Sequence, residues 1–384
     1  MDHNSLAHMA ITALLVAALP LSIVWISRDT NKYRKLVWIA VFLTFDLIVF
    51  GAFTRLTDSG LGCPDWPGCY GEANPFIAHE QIRAAETLLP SGPVTMVKAW
   101  IEMIHRYLAM GIGVLIVAMM GVAWWRWAGR RGKHGGGASF APAARGVAAP
   151  GFSTFLFFMV CLQGAFGAWT VTQKLQPIFV TGHLVLGMSL LALLAWFGGR
   201  LDQLHAPLPR AAGSESARLG RVRLLAVLSG LVLLVQLALG AWVSSNYATL
   251  ACMEFPQCGG AWVPEMDFEH GFHLWRDLGK TAAGHYLPFS ALTAIHWVHR
   301  NFAGVVLLVL GLTAWQAWRV GGLASHARWL AALLVLQALS GVATIYFSFP
   351  LTIAVVHNAG AAALVLVLTM INYRAKYLAA PAYQ

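Results

Sequence analysis

The sequence predicts an all-α integral membrane fold. It has two tandem four-helix bundles related by a pseudo-twofold axis along the membrane normal, preceded by one extra N-terminal transmembrane helix. Three observations predict it. Of the 384 residues, 58% are hydrophobic and only 11% charged, a balance outside the soluble range. The apolar residues fall into nine runs of roughly the 20 residues that a bilayer demands. A set of Cys, His, Gln and Arg spacings also occurs twice along the chain, as an internal duplication requires.

Taken in order, spans are expected at about 6–27, 36–53, 101–125, 152–171, 179–198, 224–243, 293–318, 329–347 and 352–373. The first has no basic leader and no small-residue cleavage site, so it reads as a retained span and not a signal peptide. Arg28 to Lys35 carries four basic residues, Arg126 to Arg145 carries five in a Gly/Ala-rich stretch that reads as a flexible linker, and Arg200 to Arg223 carries five more. The opposite links, 54–100, 172–178, 244–292 and 348–351, hold most of the acids. Basic loops stay in the cytoplasm, so the acidic links face outward. With nine spans the N-terminus is then outside and the C-terminus inside. The net charge of +10 is topology information and does not point to nucleic acid.

The repeat sets the domains. Gly51, Cys63 and Cys69 recur as Gly240, Cys252 and Cys258; His105-Arg106 recurs as His299-Arg300; Gln163 and His183 recur as Gln337 and His357. Offsets change only where a loop changes length. Residues 1–35 form the extra helix and its basic link, 36–199 the first bundle, 200–223 a cytoplasmic linker and 224–384 the second bundle. An even number of spans per copy inserts both copies the same way up.

Charged and polar side chains inside a bilayer are costly and mark function by default. His105, His183, His299 and His357 each fall about five residues into a span entered from outside, about 6–10 Å below the outer boundary at ~1.5 Å per residue. A single such histidine reads most simply as bonded to a neighbouring carbonyl. Four at one depth, two per copy, read as cofactor ligands from facing bundle helices. Zinc takes more ligands; two imidazoles per copy suit six-coordinate haem, and the absence of Cys-x-x-Cys-His excludes covalent attachment. Small residues near each histidine, including Gly111, Gly113, Ala303 and Gly304, leave room for a flat ring or serve ordinary helix packing. Arg55, Arg106 and Arg300 lie near the outer boundary, either pairing with haem propionates or serving as interfacial arginines.

Glu102 precedes His105 by three residues and shares its helical face. The second copy has His296 at the matching position. A carboxylate beside one haem and an imidazole beside the other suggests one reactive site and one electron relay; Glu102 also reads as a carboxylate favoured by a helix N-terminus. Cys63/Cys69 and Cys252/Cys258 lie in outward loops, where a disulfide in each serves as a structural staple or as a redox-active pair. Cys161, within an apolar span, reads as packing.

The stretches TRLTDSGLGCPDWPGC, IEMIHR and TGHL, with the echoes IHWVHR and VVHNAG, resemble the heme A synthase family from about residue 36 onward. The resemblance implies oxidation of the C8 methyl of haem O to the formyl of haem A, by successive hydroxylations and loss of water. By position it implies that His105 and His183 face haem O, that His299 and His357 ligate a resident haem b, and that Glu102 is the essential carboxylate. It further implies the bacterial inner membrane, haem sites near the outward face, the haem O synthase as a candidate partner and a homo-oligomer as an open possibility. Two other classes compete. A dihaem cytochrome b that oxidises quinol shares the four histidines without needing the Glu102/His296 difference or the cysteine loops. A transporter of repeated halves shares only the duplication.

Overall fold

The computed structural model describes residues 3–131, 150–205 and 215–379. Among these residues nine helices are long and apolar enough to cross a membrane, and the chain is an all-helical integral membrane protein. The helices are α1 (His3–Ile26), α2 (Lys32–Leu56), the short α3 (His79–Leu88), α4 (Met96–Arg131), α5 (Gly151–Thr172), α6 (Pro177–His205), α7 (Ser216–Ser245), the one-turn α8 (Phe268–Gly271), α9 (Phe289–Trp318), α10 (Ala324–Tyr346) and α11 (Leu351–Leu378). The expected first span forms, with Pro20 inside it. Most helices outrun their apolar windows, because backbone groups stay paired through the interface while long basic side chains reach out to the polar layer. Prolines mark several starts: Pro177 opens α6, and Pro288 and Pro350 immediately precede α9 and α11. A locked φ and a missing N–H cost nothing there. Most of the Gly/Ala-rich link (132–149) and part of the second basic linker (206–214) lie outside the described residues.

Apolar residues cover both faces of the spans, and exposure shows which face meets lipid. On α7, Leu224, Val227, Leu228, Leu231, Leu234 and Val235 are exposed, while Val222, Ala226, Leu233 and Leu237 are buried. Lipid is as apolar as leucine, so helices associate through close fit and not through a hydrophobic stripe. Cys161 is exposed on α5, which corrects its reading as interior packing: an apolar run does not say which side faces lipid.

The chain divides into two compact units. The first comprises Met1–Leu47, Leu61–Ala165 and Ser189–Pro207; the second comprises Ile48–Gly60, Phe166–Met188 and Leu208–Gln384. In the first, α1 packs along α4. Gly111 permits that approach, since a Cβ there would meet Val16 Cγ1 at 2.6 Å. Its small size therefore admits a helix, where the sequence suggested room for a flat ring. Near the basic links, Tyr33 OH donates to Met119 O (3.2 Å) and Trp38 Nε1 to Asp202 Oδ1 (3.2 Å). Phe197 meets both Tyr33 and Phe152 at centroid distances of 6.0 and 5.0 Å. These contacts tie α2, α4, α5 and α6 together at that end.

In the second unit α9 packs on α7 and α10, and α11 on α10 and α7, closing a ring of four helices. The duplication is visible in its backbone. The links after α5 and after α10 are one turn written twice: Leu175 N–H donates to Thr170 O (2.8 Å) and Phe349 N–H to Thr344 O (2.7 Å). Lys174, Leu175, Ser348 and Phe349 take left-handed φ of 49°, 59°, 56° and 57°. Thr170 and Thr344 each donate back to a glycine carbonyl, Gly167 (2.7 Å) and Gly341 (2.6 Å). Elsewhere in this unit, repeat-equivalent residues touch each other. Arg55 donates to Ser244 O and Tyr247 OH to Asp58 Oδ1, each pair 189 residues apart, the same offset as Cys63 to Cys252.

Candidate functional site

Cys63–Cys69 and Cys252–Cys258 are both disulfides, each with Cα atoms 4.9 Å apart. In the first unit the small loop sits on the first turns of α4. Gly62 makes that contact possible, since a Cβ there would lie 2.5 Å from the Lys98 carbonyl carbon. Asp65 folds the loop by accepting from Tyr70 N–H (2.6 Å) and Gly71 N–H (2.7 Å). Arg106 rises from α4 and donates through Nη1 to three loop carbonyls, Asp65 (2.9 Å), Pro67 (3.2 Å) and Gly68 (2.6 Å). Its Nη2 pairs with Glu102 Oε1, one turn back on the same helix. The other carboxylate oxygen, Oε2, accepts from Cys63 N–H at 2.8 Å. Glu102 is 4% exposed and joins helix, arginine and disulfide loop.

The second unit repeats the frame and changes the centre. Arg300 donates to the carbonyls of Glu254 (2.6 Å), Pro256 and Gln257 (3.0 Å). Glu254 takes the part of Asp65, accepting from Gly260 N–H at 2.8 Å. In place of Glu102 stands His296, 5% exposed, edge-on to Phe349 at 6.2 Å, with its Nδ1 buried and unpartnered.

Glycines face the imidazoles. A Cβ at Gly240 would meet His299 Cε1 at 2.9 Å, one at Gly341 would meet His357 Cε1 at 3.2 Å, and one at Gly167 would meet His183 Cε1 at 3.0 Å. Nδ1 of His299 is buried without a partner, while Gln236 Nε2 donates to the His299 carbonyl at 3.2 Å. His357 is held at both ring nitrogens, by Ser340 Oγ at Nδ1 (2.9 Å) and Gln337 Nε2 at Nε2 (3.2 Å). His105 lies on α4 in the first unit and His183 on α6 in the second.

The donor set of α9 and α11 fits a haem and does not fit a bare metal ion. Among the described residues no three His, Cys, Asp or Glu side chains converge on one point. Two imidazoles complete an iron whose other four ligands come from a porphyrin. His299 keeps one buried ring nitrogen without a partner and a glycine packs against each ring, while Gln337 would have to give up His357 Nε2 to a bound iron.

Arg55 serves a different purpose from Arg106 and Arg300. It donates to Ser244 O, lies 4.2 Å over the Tyr247 ring, and keeps a buried Nε with no partner. Burial pushes the Tyr247 hydroxyl up from its ordinary range, so it remains a donor to Asp58 near neutrality. The loop-folding role of Asp65 and Glu254, and Gly167, Gly341 and Ser340, escaped the reading of the sequence; Gly240 was paired with Gly51 but not with His299. The offsets that paired the cysteines and histidines also pair Asp65 with Glu254 and Gly167 with Gly341, so the signal was present.

Comparison with known proteins gives the family. The profile of the COX15-CtaA family, described as cytochrome oxidase assembly protein, matches residues 34–369. The heme A synthase of Shewanella oneidensis is 35% identical over 342 residues, covering 88% of this chain and 96% of that protein. Those of Rhizorhabdus wittichii (30% over 345 residues; 87% and 91%) and Bradyrhizobium diazoefficiens (28% over 368 residues; 90% and 92%) are also similar. The chain belongs to the COX15-CtaA family, the family of the heme A synthases.

Proposed function

We propose that this protein is an enzyme of haem A biosynthesis, serving cytochrome oxidase assembly, that oxidises the C8 methyl of haem O to a formyl group. The single observation that carries the reading is Glu102 set between Cys63 N–H and Arg106 where the duplicate has His296. Balanced with one water as the oxygen source, methyl-to-formyl oxidation releases four protons and four electrons, so it calls for a base and for a route to a one-electron acceptor. Glu102 is the base. Each of its oxygens has more than one lone-pair site, so it can take a proton while the loop and Arg106 still grip it. Arg106 and the disulfide loop fix its position.

His105 and His183, which match His299 and His357 by register, are the imidazoles that meet haem O. His299 and His357 are the ligands of a resident haem b, whose iron supplies one-electron transfer when bound. Arg55, with its unpartnered Nε, is the first candidate for a propionate; Arg106 and Arg300 would have to release loop carbonyls to do the same. The contacts of Arg55 with Ser244 and Asp58 with Tyr247 support a pseudo-twofold, because equivalent positions meet only near such an axis. The charge of the links supports cysteine loops outward and a cytoplasmic C-terminus, and the bacterial source of the relatives supports the inner membrane. Haem O then comes from a haem O synthase in the same membrane.

Expressing the chain with a haem O synthase and extracting haem from the membranes tests the reading. Formyl haem is expected. Haem b and haem O alone would favour the quinol-oxidising cytochrome instead.

A further inference from the structure

We propose that the groove between α1 and α2 binds an anionic phospholipid, one acyl chain between the helices and the headgroup phosphate on Lys35. The groove lies wholly within the first unit and has no part in the haem chemistry. Its walls come from two helices that lean apart. α1 is seated on α4, where Val16 meets Gly111, and turns a different side toward α2. Leu19, Pro20 and Ile23 of α1 and Ile39, Phe42 and Leu43 of α2 line a groove of about 200 Å³. That is smaller than the roughly 300–1,000 Å³ of pockets for drug-sized molecules. All six of these residues are apolar, so the groove suits a thin hydrocarbon chain.

The mouth of the groove is basic. The link from Arg28 to Lys35 holds four cations, and the fold uses two of them. Lys32 Nζ donates to carbonyls at the end of α1, Trp25 O (3.0 Å) and Ser27 O. Arg34 pairs with Asp29 Oδ2 (2.9 Å) and Asp202 Oδ1 (3.6 Å). The other oxygen of Asp29 accepts from Asn31 N–H at 2.9 Å, so the acid of the link is occupied. Lys35 lines the groove, and its ammonium has no hydrogen bond or ion pair among the described residues.

Lys35 stands in the first turn of α2, which contains no acid, and a helix N-terminus favours the same negative charge. Ile39 and Phe42 follow on the same stripe, about 6 and 10 Å deeper at ~1.5 Å per residue. Trp25, exposed in the last turn of α1, is the kind of ring that sits at headgroup level. Phosphate at Lys35 therefore leads its chain directly between the apolar walls. Lipid tails wet any apolar surface in a bilayer, so the walls alone select nothing. The cation at the mouth selects the headgroup, as basic pockets between spans do on the cytoplasmic side. A chain held there props α1 in its seat on α4, the helix that carries Glu102 and His105.

The test is native mass spectrometry of the purified, delipidated full chain, titrated with phosphatidylglycerol, with phosphatidylcholine and with glycerol 3-phosphate. Phosphatidylglycerol should bind tightest, and glycerol 3-phosphate, a headgroup without chains, should not bind. Lys35→Gln should weaken phosphatidylglycerol about 5-fold, the scale of one cation at an anionic surface, and bring it level with phosphatidylcholine. Arg28→Gln removes the same charge from the same link but not from the groove lining, and should keep the parental preference. Ile39→Trp fills the groove and should weaken both lipids. Equal losses in Lys35→Gln and Arg28→Gln would mean diffuse surface charge and overturn the proposal. So would glycerol 3-phosphate binding as well as the whole lipid, which would make Lys35 a site for free phosphate. A changed number of chains per particle in Ile39→Trp, with lipid binding still parental, would make the groove a seat for a second copy and overturn it too.

Discussion

The two cysteine loops rest on their helices in the same way, and the residue beneath each loop differs. Both are closed by a disulfide between cysteines six positions apart, folded by one carboxylate accepting from backbone N–H and pinned through three carbonyls by an arginine. Beneath the first loop lies the buried Glu102–Arg106 pair; beneath the second lies buried His296, with no carboxylate partner for Arg300 among the described residues. Duplication preserved the scaffold, which any occupant needs, and let the one group that would handle protons diverge. The divergence recurs at α5 and α10, where the threonine–glycine turn is kept while Phe166 and Ser340 differ.

The largest test of this comparison removes the imidazoles. His299→Ala or His357→Ala should abolish the low-spin haem b spectrum; a full spectrum in both would erase the contrast between a resident and a substrate site. Next comes the carboxylate. Glu102→Ala should lower formyl haem by at least about 100-fold, the scale of general base catalysis, with haem b retained, as read by haem extraction and optical spectroscopy. Normal turnover would end the base assignment.

A stability comparison follows. Arg106→Ala leaves Glu102 buried and unpaired and should cost about 3–5 kcal/mol. Arg300→Ala loses the carbonyl contacts and the approach to the Phe255 ring at 5.6 Å, with no ion pair among the described residues, and should cost roughly 1–2 kcal/mol. Equal losses in thermal unfolding of the detergent-solubilised chain would show that the ion pair adds nothing to the first loop. Smaller again, Gly240→Ala and Gly341→Ala should each cost about 1–3 kcal/mol by crowding an imidazole. Gly240→Ala should perturb the haem b signal more, since its added carbon sits at 2.9 Å against 3.2 Å. The least effect is expected from Tyr247→Phe, about 0.5–1.5 kcal/mol from one hydrogen bond. Because burial raises the Tyr247 pKa, that contribution is complete at neutral pH and lost only as pH climbs through the raised value. A Tyr247→Phe deficit already absent at neutral pH would contradict it.

Much of the fold was legible in one dimension. Nine spans follow from apolar length, and among the described residues nine helices form, most of them longer than those windows. The duplication followed from the spacing of Cys, His, Gln and Arg alone. Less of the site was legible. Glu102 stood out as a charge in a span, but its hold on Cys63 N–H depends on which loop folds over which helix. Gly111 was read beside a histidine ligand and instead admits Val16 of α1, a residue nearly a hundred positions away.

The sequence by itself determined what crosses the membrane and what is repeated, because hydrocarbon thickness and residue spacing act along the chain. The tertiary structure alone decided who bonds to whom. Arg106 closes a loop, Arg55 meets Ser244 at its own repeat-equivalent position, and Ser340 meets the His357 ring. A buried donor takes the nearest acceptor in space, and nearness in space is set by packing that no linear pattern records.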